Sequence, residues 1–424
     1  MDKLKKRALQ IAFVLLAVGL IIGFSLGGIW PGDLNLRLRQ PVAPVQPVQP
    51  VEPVQPVEPV PPQQEEREEE AREVEDEIVI VDGLRKAMFW QDIGGGRVRC
   101  EICLHLCVIP LGRRGLCRVR ENIDGRLFSL VHSRPSAAMI DPIEKEPQLH
   151  HRPGTEILCI GTVGCNFTCK HCQNWTLSQA SPTDRRVFDL PPARLVELAI
   201  EHGVTAISFT YNDPIVLFEY VYDTARLAYA AGVGLIWHTN AAIKPEPLRR
   251  LLPYTTAMTV DLKGFCEEIY REIFGGDLPT VLNALKIIRE EGVWVEIVNL
   301  VIPTINDSPD EIRAMSEWIV EHLGPDVPVH FSRFHPAFKL THLPPTPIET
   351  LETAHRIARE AGINFVTIGN VPGHRYNSTF CPDTGDRLIR RVHFRVLYNK
   401  IEVCPETGIG RSPFSGRVIP GIWQ

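Results

Sequence analysis

The sequence predicts an α/β fold: a partial (β/α)6 TIM-like barrel with a small N-terminal Cys-rich domain, preceded by a transmembrane helix and a Pro-rich linker. Three observations support this prediction. Short β-rich apolar runs alternate with amphipathic stretches after Thr155. Cysteines cluster in two short regions, before and directly after the first of those runs. The first 82 residues have a composition unlike that of a globular domain.

The N-terminal region is predicted to anchor the chain in a membrane. Residues 1–7 are basic, and residues 8–30 form an uncharged run long enough to span a bilayer, although a buried core helix is the alternative. Residues 31–82 contain a Pro-Val-x repeat, which favours a semi-rigid polyproline II stalk, and then an acidic run. The positive-inside rule places the folded part outside the cytoplasm, but Arg37 and Arg39 weaken it. The orientation of this single-pass anchor stays open.

Composition limits the function classes. The chain has 424 residues, a net charge of -6, and much of its acidity in residues 63–77, which argues against a nucleic-acid partner. Its 11 cysteines are clustered, which favours metal or iron–sulfur ligation over a disulfide framework and therefore favours a reducing compartment.

The region after the linker is predicted to form three parts: a small Cys-rich domain (83–150), the barrel (151–370) and a C-terminal tail (371–424). Six runs in the barrel have the character of strands, and 365–371 is a candidate seventh; the six are 156–163, 205–211, 234–240, 257–264, 294–302 and 329–336. Alternation of strands and helices predicts a parallel sheet, whose functional residues lie at the carboxyl ends of the strands.

A three-cysteine loop follows the first predicted strand. The stretch "GCNFTCKHCQNW" places Cys165, Cys169 and Cys172 in a C-x3-C-x2-C pattern. A structural zinc site requires four ligands, whereas three thiolates can hold a [4Fe–4S] cluster with one iron left open. His171 adjoins Cys172 and would have difficulty reaching the same centre as a fourth ligand.

A second group of thiols lies upstream, with the spacing C-x2-C-x3-C-x9-C; it comprises Cys100, Cys103, Cys107 and Cys117. Four soft ligands on glycine-rich loops suit a closed zinc site or an auxiliary iron–sulfur cluster, and free buried cysteines are the alternative. The residue pattern does not select the metal.

Polar residues collect at the predicted strand ends, where a cavity would need them. The second strand ends in "TYNDP", which contains Asn212 and Asp213. Further strand ends supply His238, Asp261, Asn299 and His335 as candidates for holding a cosubstrate or substrate. Glu144 and Lys145, in "DPIEKEP", either meet substrate or pair at the surface.

The three-cysteine motif after the first strand of a partial barrel resembles the radical S-adenosylmethionine (SAM) superfamily. The resemblance implies a [4Fe–4S] cluster on Cys165, Cys169 and Cys172 and a SAM cosubstrate, which is cleaved to a 5′-deoxyadenosyl radical. It also implies cofactor-binding roles: His171 near the adenine, and Asp213, in the place of a Gly-Gly-Glu-type motif, near the methionine ammonium. Asn212, His238 and Asn299 are further cofactor-binding candidates. Asp261 and His335 are the catalytic candidates.

A closer similarity covers residues 86–424. The stretches "CEICLHLCVIPLGRRGLC", "DPIEKEP", "GTVGCNFTCKHCQNW", "YNDP" and "IPGIW" are similar to those of the radical enzyme of the AmmeMemoRadiSam system, which is related to pyruvate formate-lyase activating enzymes. Glycyl-radical activation is therefore an analogy for the activity. Flavodoxin or ferredoxin would be the electron donor, and a protein is one possible substrate class.

The tail departs from that similarity. Relatives carry zinc-ribbon-like knuckles here, but Thr384, Ser412 and Ser415 stand where cysteines would be, and only Cys381 remains, with Cys404 nearby. We expect the knuckle shape without a metal. The leading hypothesis is a membrane-tethered radical SAM enzyme whose catalytic domain is cytoplasmic. A Cys-rich metal-binding or electron-carrier module without SAM chemistry is the alternative.

Overall fold

The computed structural model describes residues 79–424. The Cys-rich part comes first along this portion of the chain. It consists of two small antiparallel sheets, with strand orders β1-β2-β7-β6 and β3-β4-β5. The strands are β1 (Ile80–Val81), β2 (Leu84–Lys86), β3 (Trp90–Asp92), β4 (Val98–Cys100), β5 (Val108–Ile109), β6 (Arg120–Ile123) and β7 (Arg126–Ser129). The predicted anchor at residues 8–30 lies outside the described residues. No helix within 79–424 has the length and apolar character to cross a membrane.

An eight-stranded sheet forms the centre of the fold, and its strand order follows the chain. Its strands are β8 (Ala137–Pro142), β9 (Glu156–Gly161), β10 (Ala206–Phe209), β11 (Gly234–Thr239), β12 (Ala257–Asp261), β13 (Trp294–Val301), β14 (Val329–Arg333) and β15 (Val366–Gly369). Strands β9 to β15 are all parallel, as predicted. The candidate seventh strand is present as β15, so the parallel part has one strand more than the predicted six.

The first strand of this sheet comes from the region predicted as the small domain. Strand β8 pairs with β9 in antiparallel register, from Ala137 opposite Gly161 to Pro142 opposite Glu156. Three consecutive residues of β8 are exposed, as an edge strand allows. The order β8 to β15 is that of an open sheet, consistent with a partial barrel.

Helices connect successive parallel strands and cover the sheet through apolar faces. In the helix Pro192–Glu201, for example, the buried residues include Leu195, Val196 and Ala199, which recur at helical spacing. The helices are α1 (Trp175–Ser178), α2 (Pro192–Glu201), α3 (Phe218–Ala230), α4 (Pro245–Leu251), α5 (Glu267–Ile269), α6 (Leu278–Glu290), α7 (Pro309–Leu323) and α8 (Ile348–Glu360). Four short 3-10 turns and a π-helical turn add to these, at Ile143–Lys145, Pro214–Leu217, Leu252–Tyr254, Arg375–Asn377 and Tyr270–Phe274.

A buried carboxylate ties the segment before β9 to the amino-terminal half of β13. Glu296 is fully buried, and its side chain accepts hydrogen bonds from the backbone N–H groups of Leu149 and His150, both at 2.8 Å. It also accepts from the indole of Trp294 at 3.0 Å and contacts Nε2 of His330 at 2.8 Å. Glu296 therefore has a structural role, because it holds the segment before β9 against the sheet.

The tail forms two antiparallel three-stranded sheets; their strands are β16 (Thr379–Phe380), β17 (Arg387–Val392), β18 (Arg395–Asn399), β19 (Glu402–Val403), β20 (Gly410–Arg411) and β21 (Val418–Ile419). The thiol of Cys381 lies 3.3 Å from Oγ of Ser412 and 3.4 Å from Oγ of Ser415. Hydroxyl groups therefore converge on this thiol at the positions where the resemblance led us to expect cysteines.

Candidate active site

The three-cysteine loop lies at the carboxyl end of β9, and its thiols line a cavity of about 510 Å³. The loop backbone is held by the π-helical turn, because the N–H groups of Thr168 and Lys170 donate to the carbonyls of Phe274 and Ile273, each at 2.9 Å. Gly276 packs so closely on the Phe167 ring that any β-carbon there would overlap it. The segment 270–276 thus holds the loop in place, as a pre-organised ligand set requires.

The thiols sit in an environment that suits a cationic metal centre. The Cys165 sulfur accepts a hydrogen bond from the Phe167 N–H at 3.4 Å, and the Cys172 sulfur lies 3.3 Å from Oγ of Ser178. Burial raises the pKa of Cys169 to about 12, against an opposing effect of Lys263, and burial also holds the pKa of Cys165 well above its usual value. Cys165 and Cys169 therefore keep their protons until a cation displaces them. Three thiols around an open cavity fit a [4Fe–4S] cluster with one iron not bound by cysteine.

Asn212 supports the loop that carries the first cysteine. Its Oδ1 accepts from the Thr162 N–H at 2.9 Å, and its Nδ2 donates to Oγ1 of Thr162 at 3.0 Å and to the Gly164 carbonyl at 2.9 Å. Since its amide hydrogens are directed at these acceptors, Asn212 holds the loop in place. Asn212 also lines the cavity, so its predicted contact with a cofactor stays a prediction.

Asp213 lines the cavity and also organises the neighbouring strand end. Its carboxylate accepts from the Asn240 N–H at 2.7 Å, from the Thr239 hydroxyl at 3.1 Å and from the Ile215 N–H at 3.0 Å. These bonds include a cap on the 3-10 turn Pro214–Leu217. Burial outweighs these donors and raises the pKa of Asp213 to about 6. A carboxylate has about four acceptor positions, so one remains for a ligand ammonium.

Four charged side chains form a continuous chain across the cavity wall. Asp261 contacts His238 Nε2 at 3.2 Å and Lys263 Nζ at 2.8 Å, and the other ring nitrogen of His238 lies 3.2 Å from Glu146. Burial alone would lower the pKa of His238, but the two carboxylates outweigh it and raise this pKa to about 10. Likewise, burial opposes ionisation of Asp261, but Lys263 and His238 hold its pKa far below the usual value. His238 and Asp261 are therefore both charged near neutral pH.

His171 presents an uncharged ring to the same cavity. It is buried, and its ring meets Phe274 edge-on at 5.3 Å between centroids. Burial lowers its pKa to about 3. Its Nδ1 is buried without a hydrogen-bond partner, so a polar atom is available to a ligand in the cavity.

Two predicted site residues do not line the cavity. Asn299 donates to the Leu262 carbonyl at 2.8 Å and contacts the Met315 sulfur of α7, because alternation along β13 turns it towards the helices, while Val298 and Leu300 line the cavity. His335 lies in the loop after β14 and is exposed. Their predicted cofactor-binding and catalytic roles are therefore corrected.

The structure adds residues that the sequence did not single out. Glu146 and Tyr211 both line the cavity. Tyr211 has a left-handed backbone conformation, with φ of 69°, and its hydroxyl donates to Asp141 at 2.8 Å. Lys145 also pairs with Asp141, at 2.7 Å, and is partly exposed at the cavity wall. The stretch "DPIEKEP" was the available signal, since it concentrates charge next to the first strand. The left-handed conformation of Tyr211 was not visible in the sequence, but non-glycine residues in this conformation often occur at functional sites.

The upstream cysteines are also brought together. Cys100, Cys103, Cys107 and Cys117 all line a second cavity, of about 20 Å³. Within residues 79–424, no three His, Cys, Asp or Glu side chains are arranged to hold a single metal ion.

Comparisons with known proteins relate this chain to a protein family, to a curated relative and to solved structures. The family model described as the Radical SAM superfamily matches residues 159–319. An uncharacterized protein of Methanocaldococcus jannaschii is 41% identical over 320 residues, which cover 76% of this chain and 95% of that protein. Among solved structures, a domain of pyruvate-formate lyase-activating enzyme from Bacteroides vulgatus is 14% identical, with a TM-score of 0.35 over 39% of this chain and 99% of that domain. Streptococcus suis SuiB bound to S-adenosylmethionine is 16% identical, with a TM-score of 0.40 over 54% and 53% of the two chains.

Proposed function

Because the chain belongs to the radical SAM superfamily, we propose that Cys165, Cys169 and Cys172 hold the [4Fe–4S] cluster that this family implies, and that SAM binds in the adjoining cavity. When bound, the cluster supplies the electron that cleaves the SAM sulfonium into methionine and a 5′-deoxyadenosyl radical, which abstracts hydrogen from substrate. The observation that carries the proposal is the convergence of three thiols on the wall of an open polar cavity at the carboxyl ends of parallel strands.

The cavity walls divide into regions with different chemistry. Asp213 offers a carboxylate to the SAM ammonium, and its own pKa of about 6 keeps most of it ionised at neutral pH. The neutral ring of His171 offers an apolar face and an unpaired nitrogen, which suit an adenine. Lys263 lies on the same wall, where its ammonium suits the SAM carboxylate. The cavity therefore offers a partner for the ammonium, the carboxylate and the adenine of SAM.

We propose that the substrate binds next to the chain of Glu146, His238, Asp261 and Lys263. Asp261 and His238 touch the cavity and are the strongest candidates for contacting substrate. A glycyl radical enzyme or another protein is our proposed substrate class, on the basis of the motifs shared with the AmmeMemoRadiSam group and the opening of the cavity to solvent. Flavodoxin or ferredoxin is the proposed electron donor.

The proposed setting is a membrane-anchored enzyme with its catalytic part in the cytoplasm. The uncharged run at residues 8–30 supports the anchor. An oxygen-sensitive cluster and its reductant support the cytoplasmic side.

One anaerobic experiment tests the proposed activity. The full chain is reconstituted with iron and sulfide, reduced with dithionite and supplied with SAM, and 5′-deoxyadenosine is measured. We expect 5′-deoxyadenosine from the wild type and from the matched control Cys266→Ser, and none from Cys169→Ala. A wild-type protein that holds its cluster but forms no 5′-deoxyadenosine would instead support the electron-carrier alternative.

A further inference from the structure

A group of large apolar side chains is exposed on the Cys-rich part. Leu106, Val108, Leu111 and Leu116 all reach solvent, and Leu111, at 57%, is among the most exposed large apolar residues of the described chain. Single exposed apolar residues are ordinary, but a group within one short stretch is typical of an interaction surface.

Two hairpin contacts bring arginines to the same surface. Strands β4 and β5 pair so that Arg99 lies opposite Val108, and side chains opposite each other lie on the same face of a sheet. The glycine turn before β4 reaches the loop after β5, because a β-carbon at Gly96 would lie 4.0 Å from that of Leu111. Arg97 follows this turn directly and is exposed.

The charge of this surface is unbalanced. Residues 96–99 and 105–118, which we call the basic face, contain five arginines and no aspartate or glutamate. Two of the arginines pair with flanking glutamates, at 2.8 and 2.6 Å, whereas no carboxylate of residues 79–424 pairs with Arg97, Arg113 or Arg118. Unpaired cations around exposed apolar side chains are complementary to an acidic partner.

The basic face packs against the three-cysteine loop. Gly164 has a φ of 85°, and a β-carbon there would lie 2.5 Å from the Cys117 carbonyl, so the two backbones are in contact. The Nε2 atom of His105 lies 2.6 Å from the Asn166 carbonyl, next to the first cysteine of the loop. A molecule bound on the basic face would therefore adjoin the candidate active site without entering its cavity.

A series of side-chain contacts leads from the basic face to one of the three thiols. Arg118 donates to Oε1 of Gln179 at 3.4 Å, and Nε2 of Gln179 donates to Oγ of Ser178 at 3.2 Å. That hydroxyl lies 3.3 Å from the sulfur of Cys172. Neither Arg118 nor Gln179 lines the cavity of the three thiols. An electron can pass through packed side chains in this way, whereas a substrate needs the cavity itself.

We infer that the basic face is the docking surface for an acidic electron-carrier protein. The inference rests on the proposed function, because the electron needs an acceptor at the three-cysteine loop. The carrier loses one electron and the three-cysteine centre gains it, and no bond forms or breaks.

The first test measures binding of flavodoxin to the full chain by biolayer interferometry. An Arg97→Glu, Arg113→Glu double variant should bind flavodoxin about ten-fold more weakly than the wild type. Added salt should weaken binding to the wild type more than binding to the double variant. The matched control, Arg390→Glu with Lys400→Glu, reverses two exposed charges of the tail and should bind as the wild type does. Circular dichroism checks that each variant is folded.

The second test compares two reductants in 5′-deoxyadenosine formation. With a limiting amount of reduced flavodoxin, the rate should fall about ten-fold in the Arg97→Glu, Arg113→Glu variant. With dithionite, which needs no docking surface, the rate should equal that of the wild type. A wild type that forms no 5′-deoxyadenosine with dithionite would refute the proposed function, while the binding measurement would still decide the docking inference.

An unchanged flavodoxin affinity in the Arg97→Glu, Arg113→Glu variant would overturn the inference. Two other results would also overturn it and would identify another occupant. Weaker binding to phosphatidylserine vesicles alone would assign the basic face to a lipid surface. Flavodoxin binding that is seen only after deletion of residues 63–77 would assign it to this acidic segment of the chain.

Discussion

Replacing Glu296 with glutamine should destabilise the fold strongly. The carboxylate receives N–H donors on both oxygens: Leu149 and His330 face Oε2, and His150 and Trp294 face Oε1. Glutamine turns one of those oxygens into a donor. His330 can change tautomer to accommodate it, but at least one buried N–H then loses its acceptor.

An unsatisfied buried donor costs about 1–3 kcal/mol, and the remaining bonds lose their charge assistance, so we expect a loss of about 3 kcal/mol in the free energy of unfolding. Urea unfolding followed by circular dichroism measures it. Exposed Glu317→Gln, on α7, is the control and should change the value by less than about 0.5 kcal/mol. A Glu296→Gln loss below about 1 kcal/mol would refute the assigned role.

The same carboxylate predicts a pH dependence. Burial opposes its ionisation, but the contact with His330 and the other donors outweighs burial and lowers the pKa of Glu296 from 4.5 to about 2. A depressed carboxyl pKa stabilises the folded state fully above pH 4.5, and this stabilisation is lost as the pH falls towards 2. The difference between wild type and Glu296→Gln should therefore shrink over that interval. A difference that stays constant or grows as the pH falls would contradict the assignment.

Two further predictions concern the loop and the tail. Asn212→Ala removes the bonds that hold Thr162 and Gly164, so the variant should lose iron from the three-cysteine site several-fold faster under a chelator than wild type; equal rates would contradict a positioning role. Metal analysis of the full chain should assign no zinc to the tail, where hydroxyls surround Cys381, and zinc that is lost on Cys381→Ser would contradict this prediction.

The strands were predictable because each is a short, apolar run rich in β-forming residues. All seven parallel strands lie within the predicted ranges. The three-cysteine loop was predictable because spacing alone brings its thiols together. The roles of polar residues were less accessible. Asn299 was assigned to the cavity because the sequence does not show which alternate residues of β13 face the cavity. Its neighbours Val298 and Leu300 line the cavity instead.

Long-range pairing explains the remaining differences. The contact between His238 and Glu146 joins residues 92 positions apart in the chain, and no local pattern indicates it. Edge strand β8 was assigned to the small domain because its pairing with β9 is not visible in the local sequence. Three of the four donors to Glu296 come from elements that meet it only in the folded chain.

The open position of the three-cysteine site can be tested directly by electron paramagnetic resonance of the dithionite-reduced protein, with and without SAM. If one iron is free of cysteine ligation, SAM should change the cluster signal in the wild type and in Cys266→Ser, and this SAM-dependent change should be absent in Cys169→Ala. A wild-type cluster signal that SAM leaves unchanged at saturating concentration would contradict the account.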